Sequence, residues 1–134
     1  MALPENATVE VAANFYAGLD AANQFFIGQD PDSAPRRYAD LSAGLREMIE
    51  LLAWSPASGR PARFFSTKSA QARMRVETVM ALARQAGLPG LREYPVGRHI
   101  VLYAHSDTRV VLLAMKHQRQ LAYAVADDAV NGPR

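Results

Sequence analysis

The sequence predicts an α+β domain: a helical pair and an inserted third helix packed on a small antiparallel sheet, with a three-stranded C-terminal meander and strand 1 at its edge. Three observations carry this. The chain has 134 residues, 49% apolar and 21% charged, which is the size of a single core and lies far from the weakly hydrophobic, highly charged compositions that stay unfolded. Between Tyr38 and Leu52 the apolar residues Tyr38, Leu41, Leu45, Met48 and Leu52 recur at spacings of three and four, the stripe of an amphipathic helix. In the last third the pattern changes to two near-continuous apolar runs, Arg98 to Ala104 and Thr108 to Lys116, separated by His105-Ser106-Asp107. So short a connection forces the strands antiparallel, since a parallel crossover needs about a dozen residues.

Taken in chain order, Thr8 to Ala13 alternates with period two and reads as a first strand. From about Tyr16 to Gln29, Leu19, Ala22, Phe26 and Ile27 fall on one helical stripe, and Gly28 with Asp30-Pro31 supplies the stop. Asp32 or Ser33 suits the cap of the second helix, with Pro35 in its first turn, where a missing N–H costs nothing. That helix runs to Trp54, and Pro56 forbids its continuation. Ser55 to Pro61 holds two prolines and a glycine in seven residues, which is turn chemistry.

Ser66 or Thr67 suits the cap of a third helix from about Ser69 to Ala86, ended by Gly87 with Pro89 beyond. Its stripe of Ala72, Val76, Val79, Met80 and Ala83 must be buried, either against this domain's own core or against a second copy in a homodimer. The small side chains favour the first. Leu91 to Val96 opens the meander, and the unbroken run Val110 to Met115 marks a strand that is central or covered on both faces. No linker divides the chain, so residues 1–134 read as one domain with a helical insertion at about 63–87.

Composition narrows the chemistry. With no cysteine, disulfide frameworks, thiolate zinc sites and cysteine nucleophiles are excluded together. His99, His105 and His117 lack the spacing that puts two imidazoles on one helical turn, so neither a metal nor another cofactor is expected. No stretch approaches eighteen apolar residues, and the N-terminus has no basic segment followed by an apolar run; a soluble, cytoplasmic protein with no membrane partner is the expectation.

The net charge of +2 hides an asymmetry. Residues 1–55 carry eight acids and three bases, net −5, and residues 56–134 carry five acids and twelve bases, net +7. Either the two parts neutralise each other across the fold, or the C-terminal part meets an anionic partner. The bases Arg60, Arg63, Lys68, Arg73 and Arg75 near the third helix fit a solvated face better than a nucleic-acid stripe.

Several segments resemble RelE/ParE-type toxins, the plasmid stabilisation proteins of type II toxin–antitoxin modules. Leu51-Leu52-Ala53-Trp54-Ser55-Pro56-Ala57-Ser58-Gly59-Arg60-Pro61 is similar to the ending of that family's helical pair, and Gly90-Leu91-Arg92-Glu93-Tyr94-Pro95-Val96-Gly97-Arg98-His99-Ile100-Val101-Leu102-Tyr103 to its meander. Val110 to Gln120 resembles its final strand, which leads into a His/Arg pair. The resemblance covers about residues 8–62 and 88–126 and departs at the insertion, since typical members pass from the Gly-Arg turn almost directly into the next strand.

The resemblance implies a bacterial toxin that inhibits growth and is neutralised by a cognate antitoxin. One branch consists of ribosome-dependent messenger RNA endonucleases, and another inhibits DNA gyrase without known catalytic chemistry. Where the nuclease branch carries two lysines and an arginine, this sequence has Leu91, Glu93 and Ile100. A carboxylate in place of a cation repels phosphate, so a gyrase-type binder is favoured over an endoribonuclease, with a degenerate antitoxin-binding scaffold as the third reading.

If a nuclease, its catalytic residues would be His117, Arg119 and Tyr123; target or nucleic-acid contacts would come from Arg92, Arg98, Lys116 and Arg119. Each has a plainer reading. His117 can hydrogen-bond a backbone carbonyl, Tyr123 can pack, and Arg92 and Arg98 can pair with Glu47 or Glu50. Arg119, between Gln118 and Gln120, has the least structural reason to be there.

Overall fold

The helical stripe of the sequence becomes the longest helix, and the apolar runs become the centre of a sheet. A computed structural model describes residues 6–62, 77, 78, 80, 81, 83–85 and 87–119. Its elements are β1 (Thr8–Val11), α1 (Ala13–Gln29), α2 (Ala34–Trp54), a 3-10 turn (Pro56–Ser58), β2 (Arg60–Pro61), β3 (Gly90–Val96), β4 (His99–His105) and β5 (Arg109–His117). The described residues of 77–85 are also helical.

The class is α+β, with the meander β3-β4-β5 antiparallel throughout. The sheet order is β1-β5-β4-β3-β2. It differs from the expected all-antiparallel sheet in two ways. β1 lies at an edge but pairs with β5 in parallel, Thr8 opposite Arg109 and Val11 opposite Leu112. Short connections fix the mutual direction of neighbouring strands; the long path from β1 to β5 fixes nothing. The second difference is β2, two residues of the expected turn that add to β3 at the far edge.

α1 and α2 cover one face. Phe15, Ala22, Phe26, Leu41, Leu45, Met48 and Leu52 pack on Val101, Tyr103, Val110, Leu112 and Met115, and each large side chain buried there contributes roughly 1.5–3 kcal/mol. The turn between the helices is closed by Asp30, whose carbonyl accepts from the Ser33 and Ala34 amides at 3.2 and 3.1 Å. Ser33 occupies the N-cap position, as the sequence suggested, but its side chain makes no capping bond; its Oγ donates to the Asp30 carbonyl at 3.4 Å instead.

The other face is covered too. Ala83 and Leu88, with Met80 partly buried, pack on Leu102, Ala104, Val111, Leu113 and Ala114. Ala72, Val76 and Val79 of the expected stripe lie outside the described residues, as do Arg63, Lys68, Arg73 and Arg75. β5 is therefore buried on both sides, which its unbroken apolar run requires.

Tyr103 ties the turn after α2 to the middle of the sheet. Its hydroxyl donates to the Pro56 carbonyl and accepts the Gly59 amide, each at 2.8 Å. Burial raises the phenol's pKa, opposed by the Gly59 bond and the charge of Arg92, so the hydroxyl stays a donor.

One irregularity decides which side chains meet. Leu102 pairs with Ala114, but Tyr103 pairs with Leu112, so Leu113 is an extra residue in β5. This is a β-bulge, which shifts the in-and-out alternation by one residue. Asn14 of α1 donates Nδ2–H to the Leu113 carbonyl at 3.3 Å.

Candidate functional site

Charged chemistry collects at two places, on opposite faces of the sheet. On the face away from the helical hairpin, Glu93 of β3 is only 2% exposed, and Arg60 Nε lies 3.7 Å from its Oε1. That distance makes an ion pair without a hydrogen bond. Burial lowers the pKa of Lys116 on β5, with Glu93 pulling it up and Arg60 pushing it down, so Lys116 shares this field. Leu91 and Ile100 pack against the same apolar cluster. The positions at which the resemblance called for phosphate-binding cations are thus two packed aliphatics and a neutralised carboxylate.

On the hairpin face, a groove of about 970 Å³ opens between α1, the first half of α2, the start of β4 and the end of β5. His99 and His117 are direct cross-strand partners, their rings 5.4 Å apart and nearly perpendicular. Phe26 of α1 meets His99 edge to face at 6.0 Å, and Phe25 lies 6.1 Å from His117. Arg37 of α2 stands 4.4 Å above the Phe26 ring and donates to Gln29 Oε1 at 2.8 Å, so a cation–π contact and a hydrogen bond both position it. Arg98, Arg119 and Asp40 also line the groove.

The bulge explains why His117 is there. Val110 and Leu112 face the hairpin, and unbroken alternation would continue through Ala114 to Lys116. The extra residue at Leu113 turns Met115 and His117 to that side instead. The Arg119 amide then donates to His117 Nδ1 at 3.2 Å, which places the proton of the neutral ring on Nε2. The Gln118 amide donates to the Arg98 carbonyl at 2.8 Å and holds the two strand ends together.

Of the residues singled out in the sequence, His117, Arg98 and Arg119 line this groove; Lys116 borders it, but its position opposite Ile100 puts its side chain on the Glu93 face. Arg92 does not. Its Nη1 donates to the Gly59 carbonyl at 2.9 Å and its Nε to His105 Nε2 at 3.1 Å, where an ion pair with Glu47 or Glu50 had been an expected alternative. Tyr123 lies outside the described residues. The sequence reading missed Phe25, Arg37 and His99 as site residues. The available signal was Phe25-Phe26 just before the helix stop, where a helix puts one of two adjacent aromatics off the buried stripe. Among the described residues, no cluster of three or more histidine or carboxylate side chains is placed to hold a metal ion, and no helix is long and apolar enough to cross a membrane.

His99 has a pKa below its ordinary value of 6.5, because of burial first, then the neighbouring His117 and Arg37. The unfolded chain therefore takes up this proton more readily than the folded one. The resulting stability is present above pH 6.5 and is lost as the pH falls from there through the folded value. The melting temperature should be lower at about pH 5.5 than at about pH 7.5, and His99→Gln should flatten part of that slope. An equal slope in the variant would assign the effect to other groups.

No protein-family model matches this chain, and no curated protein matches it in sequence.

Proposed function

We propose that this chain is the toxin of a bacterial type II toxin–antitoxin module of the RelE/ParE kind, acting by binding a cellular target of the DNA gyrase type and neutralised by a cognate antitoxin. The reading is supported by the motifs of the helical pair and the meander in their order along the chain. The observation that carries the choice of binder over nuclease is the buried Glu93 paired with the partly exposed Arg60 and flanked by Leu91 and Ile100. In a preorganised site, losing one group that stabilises developing charge costs about 3–4 kcal/mol. With Glu93 neutralised internally and two aliphatics at the other positions, that face offers a phosphorane little stabilisation.

A ribosome-dependent endoribonuclease is the second reading, favoured by the His99–His117 pair beside Arg98 and Arg119. An imidazole can both accept and donate a proton, which suits general acid–base work. A scaffold that only binds its antitoxin is the third.

Induced expression without the antitoxin should arrest bacterial growth, and co-expression of the antitoxin should restore it. Purified protein should inhibit gyrase supercoiling, and primer extension on arrested cells should show no codon-phased cuts. Cuts that vanish in His117→Ala would establish the nuclease reading. Normal growth at verified expression would leave the scaffold.

A further inference from the structure

We propose that the groove between the hairpin and the ends of β4 and β5 binds a phosphorylated ligand with a planar ring: a nucleoside monophosphate, free or as one unit of single-stranded nucleic acid. The inference rests on the groove's own chemistry and is independent of the toxin reading. Its volume of about 970 Å³ lies within the range of small-molecule sites, roughly 300–1,000 Å³.

Two kinds of group converge there. One is aromatic: Phe25 is 48% exposed, whereas Phe26 and His99 are buried behind it at 5% and 7%. The ring surfaces that an incoming ligand meets are therefore Phe25 and the half-buried His117, supported from behind by Phe26 and His99. The other is cationic: Arg37, Arg98 and Arg119 line the groove, and Asp40 is the one carboxylate among its described lining residues.

A stacking platform beside guanidinium groups is the combination that receives a base and its phosphate. Arginine adds a planar fork that matches phosphate oxygens. Arg37 is already held by Phe26 and Gln29, so little side-chain entropy remains to be lost on binding.

The titration of His99 agrees with this assignment. His117 on β5 and Arg37 on α2 both disfavour its protonated form, and Arg98 and Arg119 line the same groove with Asp40. A phosphate in the groove reverses that field. Binding therefore raises the pKa of His99, and affinity increases as the pH falls towards the histidine range.

The test uses the full chain at low salt. Adenosine monophosphate, adenosine, inorganic phosphate and a short oligoribonucleotide are titrated separately, by calorimetry and by following the imidazole proton resonances of His99 and His117. The monophosphate should bind saturably and shift both histidines, more tightly than adenosine or phosphate alone and more tightly at about pH 6 than at about pH 8. Phe25→Ala should weaken it by about tenfold through lost stacking. The double variant Arg98→Ala/Arg119→Ala should weaken it at least as much and reduce the salt dependence. Both substitutions are at exposed positions, and circular dichroism checks that the fold survives.

An oligonucleotide that binds more than about tenfold tighter than the monophosphate identifies nucleic acid as the source, and equal or weaker binding identifies the free nucleotide. Absence of binding by both at millimolar concentration overturns the proposal. So does binding that leaves the histidine resonances in place, or affinity unchanged in the Phe25 and double arginine variants.

Discussion

Gly18→Val should destabilise the protein by about 3 kcal/mol or more, lowering the melting temperature by roughly 10 °C or preventing folding. Gly18 lies in the middle of α1 (Ala13–Gln29), where a glycine costs up to about 1 kcal/mol relative to alanine. Its use is proximity. A Cβ built at this position falls 2.6 Å from the carbonyl oxygen of Met115 and 3.2 Å from its Cβ. The close atom is backbone in the interior strand β5, so rotamer adjustment cannot relieve the clash; helix and sheet must separate. Separation opens the layer of Phe15, Ala22 and Phe26 on the sheet and shifts Phe25 relative to His117. Thermal unfolding with ligand titration checks both. A valine variant with wild-type stability would mean that α1 does not lie this close to β5.

Glu93→Lys, which introduces the residue type that the resemblance implies for a nuclease, should not confer nuclease chemistry and should destabilise the fold by at least about 3–5 kcal/mol. Glu93 is almost wholly buried, with Arg60 beside it and the charge of Lys116 felt across the same face. The introduced lysine places a positive charge at a position only 2% exposed, in the field of Arg60 and Lys116. Glu93→Leu replaces the carboxylate with an aliphatic of similar volume and leaves Arg60, which is 38% exposed, able to turn towards water. It should cost much less. Denaturant unfolding of the two variants makes the comparison. If Glu93→Lys folded normally and gained RNA cleavage, the covered face would be an accessible site and the binder reading would fail.

The elements themselves were legible because each is specified locally. The stripe from Tyr38 to Leu52 requires a helix with one buried face, and Leu41, Leu45, Met48 and Leu52 are buried in it. Pro56 ends that helix one residue beyond its C-cap Ser55. The short connection at Ser106 and Asp107 made β4 and β5 antiparallel partners before any packing was considered. Three of the residues that line the groove, Arg98, His117 and Arg119, were also readable as candidates, since they stand at the ends of the last strands.

Composition, periodicity and connection length thus determined the α+β class, the helical hairpin, the meander and the buried stripe of α2, whereas the stripe expected for α1 is only partly buried, with Ile27 41% exposed and Phe15 buried in its place. The direction of β1, the recruitment of Arg60 and Pro61 into an edge strand and the capture of Arg92 by Gly59 and His105 were decided only by tertiary structure. So was the groove. Its wall needs α1 and α2 to be brought onto the β4–β5 ends, and its histidine pair depends on one extra residue at Leu113. A bulge leaves no mark in an unbroken run of apolar residues, because Val110 to Met115 reads the same whichever side each residue faces. Once Tyr103 is set against Leu112 and Leu102 against Ala114, a one-residue shift exchanges Lys116 for His117 beside His99, and period-two alternation carries that exchange to the end of the strand.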